Sequence, residues 1–455
     1  MKINLLSKAK NCLYIGFSLS VSVALSQEHI IKVNSNNTFA SLQLSEKEYD
    51  SWIQNDDFTT SKEVVSNLTK ELYNNFEDNY DFIVFVLNEK EVPTTGKIDY
   101  FGINNVINSK IEGISFTNDK SDDSKFYGSD GVLKSIMHFP EKEGMLFGPF
   151  LHEIMHNWGN FDVIAGEAPS EENEDGSFTF SKIPGHWGLT GGSTPGQLGG
   201  FKQSDLIKNK DGSFTTPGFS FNANGGNQVP YNEFELYLMG MIPLEEVAPF
   251  DSFSNVTDFS FEEDKDTGDF TSYTFKAGEV IRYTPEKILN DLGPRNPSYK
   301  NSQKEFNMLT VIITKTALTE KEWEEYDAII KVTTQKADHD DKRLYNFWQA
   351  TRGIGSLNPT IHKKTNTLSI DDITDHDEEF KIYPIPVTAT LSIENLKNSP
   401  VKNVILCDAL GKEINSYPLA TTTTIDVSTV ASGIYYLIFK NDHKKLVETK
   451  RLVIY

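Results

Sequence analysis

His152-Glu153-Ile154-Met155-His156 sets two imidazoles four residues apart with a carboxylate beside the first. On a helix, residues i and i+4 share a face, so His152 and His156 can grip one tetrahedral Zn²⁺ while Glu153 reaches toward a water beside it. Zinc brings the pKa of such a water to about 7 and polarises a carbonyl, which leaves Glu153 only a proton to collect and relay. The chemistry predicted is hydrolysis of a peptide bond with no covalent intermediate. The surroundings suit it: Gly148-Pro149 opens a helix, Phe150, Leu151, Ile154, Met155 and Trp158 supply apolar faces, and Gly159 falls where the helix should stop. The competing reading is a surface helix whose histidines bind nothing.

A third ligand must come from outside the helix. His186, in Gly185-His186-Trp187-Gly188, is an imidazole held in a glycine-rich turn, a common kind of zinc ligand. Glu235, on a helix predicted over Glu233–Met241, either completes a two-His, one-Glu set or orients a ligand from behind. Taken together, His152, Glu153, His156, Gly159 and Asp162 read H-E-x-x-H-x-x-G-x-x-D. This resembles the metzincin zinc signature with aspartate in place of its last histidine, as in the snapalysin type. The resemblance implies that Gly159 turns the chain and that Asp162 swings back to the metal. His186, Asp162 and Glu235 therefore all stand as third-ligand candidates, with His186 slightly ahead.

Metzincins also place a methionine turn beneath the zinc ligands, and in Tyr231–Pro243 either Met239 or Met241 suits that place. The alternative for each is ordinary core packing. Tyr237 in the same run is a candidate donor to a tetrahedral oxyanion. The glycines from Gly185 through Gly200, then Gly225-Gly226, are expected to form ordered loops around a cleft.

Both ends of the chain speak of export. Lys2, Lys8 and Lys10 precede an apolar run Cys12–Ala24 and a small-residue cleavage site at Ala24-Leu25-Ser26, the layout of a signal peptide over residues 1–26. That run is too short to span a bilayer comfortably, and no later stretch does so, giving a mature chain without a transmembrane segment. Cys407 is then its one thiol. Toward the other end, Tyr383-Pro384-Ile385-Pro386, Leu391-Ser392-Ile393, Val404–Lys412, Ile425–Ser428, Gly433–Leu437 and Lys450–Tyr455 follow at short-strand spacing, with apolar and polar residues alternating between turn residues. They resemble the type A C-terminal sorting domain of the type IX secretion system, with Ile385 where that family usually has asparagine. The resemblance implies a β-sandwich over residues 379–455, the type IX machinery as a partner, and a protein that is secreted or attached to the cell surface.

The elements needed to position the site come before it. Strands are expected over Asp81–Leu87, Gly113–Phe116 and Ser135–Pro140, leading into the HExxH helix. His138 in the last of these reads as a packed histidine. Further strands over Ile281–Thr284 and Met308–Thr314 and a helix over Thr319–Ile330 complete an α+β, zincin-like catalytic domain spanning 27–365, whose residues 27–75 are either a propeptide or an N-terminal layer. A polar linker over 366–378 joins it to the all-β sandwich module. Asp175-Gly176 and Asp211-Gly212 mark hairpin turns, and acidic loops offer Ca²⁺ oxygen ligands without any EF-hand layout. With 65 acidic against 43 basic residues, a net charge of −22 and a pI near 4.9, the surface repels nucleic acid, which is excluded as a partner. The expected substrate is polypeptide. Rival readings are a secreted binding or adhesion protein on a catalytically weak zincin scaffold, and a metal-dependent hydrolase of a non-peptide amide or glycan-linked peptide.

Overall fold

The structure is a computed structural model that describes residues 29–117, 120–160, 163–364, 380–396, 399, 401–408, 411–440 and 446–455. The signal peptide 1–26, Asp162 and the linker 366–378 lie outside the described residues. The chain divides into two units, one as far as Lys364 and one from Thr365 onward.

The first unit is built on a mixed sheet. Its strands are β1 (Ile30–Val33), β2 (Ala40–Gln43), β3 (Phe82–Leu87), β4 (Ile103–Val106), β5 (Ser135–Phe139), β6 (Glu305–Thr314) and β7 (Ser356–Asn358). They lie in the order β1-β2-β6-β3-β5-β4, with β7 also on β6. Strands β2, β6, β3 and β5 run parallel, while β1 and β4 pair antiparallel at the two edges. Because strand side chains alternate in direction, the wholly buried run Phe82-Ile83-Val84-Phe85-Val86-Leu87 feeds two cores at once. Phe82, Val84 and Val86 face one with the site helix, and Ile83, Phe85 and Leu87 face the other with the helices Glu46–Asn55 and Lys62–Asn75. Helices thus cover both faces, and the unit is mixed α/β. Strand β6, late in the chain, inserts between β2 and β3, pairing Val311 with Ala40 and with Phe85. Residues 30–75 thus supply the β1-β2 side of the sheet and the helices on one of its faces.

Gly113–Phe116, expected as a strand, forms bends instead. Gly113 has φ +73° and the Pro294 carbonyl lies where a β-carbon would project, a conformation that breaks an extended run. The two Asp-Gly turns do close hairpins, between Ala168–Glu172 and Phe178–Ser181 and between Ile207–Lys208 and Phe214–Pro217. A longer hairpin, Phe250–Glu263 with Phe270–Tyr283, carries Phe253 and Phe275 into a separate phenylalanine-rich cluster.

His138 is fully buried on β5. Its Nε2 accepts from Trp52 Nε1 at 3.0 Å, its Nδ1 pairs with Tyr100 Oη at 2.8 Å, and Phe58 stacks on the ring at 5.1 Å. Burial pushes its pKa down to about 3. The folded pKa lies below the unfolded value, so this stability is present above about pH 6.5 and is lost as pH falls toward 3, at ~1.4 kcal/mol per pH unit. All five tryptophans lie in the first unit. Their fluorescence in urea should show wild type losing ~2 kcal/mol more than His138→Asn between about pH 7 and pH 5; equal losses would contradict the assignment.

The second unit is a β-sandwich. A three-stranded sheet of Phe380–Tyr383, Thr390–Asn395 and Thr422–Asp426 faces a four-stranded sheet of Glu413–Pro418, Asn403–Asp408, Gly433–Lys440 and Leu446–Ile454. Phe380, Leu391, Ile393, Val404, Leu406 and Phe439 meet between them, and Cys407 is buried and free.

Candidate metal centre

The site helix, Phe150–Met155, is six residues long, and Pro149 at its N-cap offers no side-chain acceptor. Its exposed first N–H groups need partners from elsewhere. Asn227 supplies one: its Oδ1 accepts from Leu151 N–H at 3.0 Å, while its Nδ2 donates to the carbonyls of Met145 and Leu146, each at 3.0 Å. Tyr231 Oη donates to the Leu151 carbonyl at 2.8 Å. The segment leading into the helix Glu233–Leu238 thereby fixes where the site helix stands.

His152 and His156 leave the same side of that helix, with ring centroids 4.8 Å apart and Nε2 atoms 3.1 Å apart. His186 arrives from a separate turn; its ring stacks on His152 at 5.3 Å and meets His156 at 5.1 Å. One ring nitrogen of each lies within 4.8 Å of the others, the one such group of three among the described residues, where loop carboxylates assemble no comparable calcium site.

Each Nδ1 faces a backbone carbonyl. His152 pairs with Gln197 O at 2.7 Å, His156 with Gly159 O at 3.0 Å and His186 with Pro184 O at 2.9 Å. A carbonyl only accepts, so Nδ1 carries the proton in every ring and Nε2 keeps a lone pair. The lone pairs of His152 and His156 then face each other at 3.1 Å with no proton between and with a ring nitrogen of His186 within 4.8 Å, an arrangement that repels itself and suits a cation. Protonation is a poor remedy. Burial, with His156 close by, holds His152 well below the usual histidine range, and burial with His186 close by brings His156 down to about 4.

Glu153 is buried on the same helix turn, and burial alone raises its carboxyl to about 8. The edge strand β4 braces it, with Asn104 Nδ2 donating to the Glu153 carbonyl at 2.5 Å. A β-carbon on Gly102 would fall 3.0 Å from Glu153 Cγ, 2.7 Å from Pro149 Cγ and 2.8 Å from Phe139 Cε1. A side chain at position 102 would therefore press directly on the Glu153 side chain.

The other candidates separate clearly. Glu235 is fully buried but engaged: its Oε1 accepts from Trp187 Nε1 at 2.8 Å and Leu198 N–H at 3.0 Å, its Oε2 from Asn232 N–H at 3.0 Å. Tyr237 is buried at a different helix position. Two residues on from Glu235 it points to another side of the helix, with its hydroxyl beside Arg295 in the core. Met239 and Met241 are buried core residues, the Met241 methyl lying against Gly355. Gln197, whose carbonyl orients His152, and the pair Gly102 and Asn104 were not singled out from the sequence; none carries a metal-ligand or nucleophile side chain to signal it.

Comparison with known proteins bears on the second unit. The family described as secretion system C-terminal sorting domain matches residues 381–455. The protein is accordingly secreted or attached to the cell surface, and its sorting domain implies interaction with the type IX secretion machinery. No curated protein matches the chain. Among the described residues no helix is long and apolar enough to cross a membrane.

Proposed function

We propose that the first unit is a zincin-like, zinc-dependent endopeptidase acting on polypeptide outside the cell. The observation that carries this reading is the convergence of His152, His156 and His186 with every Nδ1–H taken by a carbonyl and Glu153 on the same turn. Tetrahedral zinc with bonds of ~2.0–2.1 Å asks for nitrogens ~3.3 Å apart. The His152–His156 pair stands at 3.1 Å, and His186, on a turn, stands within 4.8 Å. His152, His156 and His186 would hold the ion, leaving a fourth position open.

Zinc would supply there a Lewis acid that polarises the scissile carbonyl and lowers the pKa of a water. The carbonyls of Gln197, Gly159 and Pro184 keep the imidazoles neutral and aimed. Glu153 takes a proton from the attacking water and returns it to the leaving amine. With a dication held by the imidazoles, Glu153 would start as carboxylate. Strand β4, the sheet's edge beside Glu153 among the described strands, is where an extended chain can add. A pocket of about 300 Å³ next to it, lined by Val106, Ile111, Ile114, Asn157 and Val163, has room for an apolar side chain.

The test is cleavage of an unfolded protein such as casein by the full chain. Activity that a chelator abolishes and one equivalent of zinc restores supports an endopeptidase. Bound zinc with every polypeptide left intact would leave the adhesion reading in its place.

A further inference from the structure

Two of the three imidazoles depend on loops without regular structure, His186 for its own place and the helical His152 for the carbonyl that orients it. His186 sits in the turn from Ile183, and His152 depends on the carbonyl of Gln197. Both loops end on one group. The Glu235 carboxylate accepts from the indole of Trp187, the residue after His186, and from the N–H of Leu198, the residue after Gln197. Trp187 N–H also donates to the Leu198 carbonyl at 2.8 Å, tying the two loops into one. Gly196 leaves the carboxylate room, because a β-carbon there would lie 2.6 Å from Glu235 Oε1.

Glu235 is itself tied at its own helix start. Asn232 caps the helix by accepting from Glu235 N–H at 2.9 Å, and Glu235 Oε2 accepts from Asn232 N–H in return. Its partners are all N–H donors, which satisfies a carboxylate and would leave a carboxylic acid proton without an acceptor. A buried carboxylate with several donors is costly to alter and exact in geometry. Ordinary helix capping asks for neither the indole nor the Leu198 amide. That extra reach is what distinguishes Glu235 from a mere cap.

We propose that Glu235 is the positioning residue of the metal centre, one carboxylate that sets the places of both His186 and the carbonyl orienting His152. The proposal rests on the zinc reading above. It assigns Glu235 no contact with metal or substrate; it acts through Trp187 and Leu198.

The experiment measures Zn²⁺ affinity by competition with a chromophoric chelator, and the visible d–d spectrum of the Co²⁺-loaded full chain, for wild type, Glu235→Gln and Trp187→Phe. Glutamine at 235 sets an amide NH₂ against N–H donors, and phenylalanine at 187 removes only the indole donor. Zinc affinity should fall ~10–100-fold in Glu235→Gln, as for outer partners of metal ligands generally, and less in Trp187→Phe, each with a shifted Co²⁺ spectrum and native circular dichroism. Affinity and spectrum unchanged in Trp187→Phe, together with either an unchanged or an unfolded Glu235→Gln, would overturn the proposal. Wild type that binds neither ion would instead overturn the zinc reading, and this inference with it.

Discussion

Glu153→Gln is expected to keep one equivalent of zinc and lose ~10²–10⁴-fold in kcat, the usual contribution of a positioned general base. Glutamine is nearly isosteric, so the packing against Gly102 and the bond from Asn104 to the residue 153 carbonyl survive. The fold should not suffer. Burial already works against the Glu153 charge, with its carboxyl raised to about 8, so a neutral amide removes an unfavourable term. The expected pattern is therefore unchanged or raised Tm without metal, full zinc content and almost no turnover. Peptide cleavage at saturating substrate, read beside metal analysis of the same sample, checks it. A rate within a few-fold of wild type would remove Glu153 from the mechanism.

His186→Ala should cost more zinc affinity than any outer partner does, beyond ~10²-fold, while Asp162→Ala should leave it near wild type. Histidine 186 brings its own tautomer control, the Pro184 carbonyl at 2.9 Å, and its ring already contacts both other imidazoles. A histidine that merely packed in a loop would have no need of either. The two variants compared by chelator competition decide between the ligand sets, since zinc held equally well without His186 and lost without Asp162 would favour the aspartate signature instead.

What the sequence makes legible follows from which signals are local. The His152–His156 pair is visible because helical spacing alone puts both rings on one face, and β3 is visible because six apolar residues in a row suit a strand buried on both sides. The Asp-Gly hairpins and the sorting domain carry equally local turn chemistry. The edge strand Ile103–Val106 carries none: Ile-Asn-Asn-Val neither alternates nor runs apolar, and it becomes a strand by pairing with β5. Gly113–Phe116 errs in the other direction, an apolar-looking run whose glycine takes a positive φ against Pro294. Glu235 shows both cases at once. Its capping box is readable from Asn232 to Glu235, yet its bonds to Trp187 and Leu198 span 48 and 37 residues and no spacing rule reports them. Tyr237 and the methionines at 239 and 241 are attractive by type, but residue type does not report that Tyr237 lies beside Arg295 or that the Met241 methyl packs on Gly355.

The central claim is that three neutral imidazoles share one zinc ion. Zinc K-edge absorption spectroscopy on the full chain loaded with one equivalent tests it most directly. Three imidazole nitrogens and one oxygen at ~2.0–2.1 Å are predicted, falling to two imidazoles in His186→Ala. A spectrum of oxygen neighbours alone, or one that His186→Ala does not change, would contradict it.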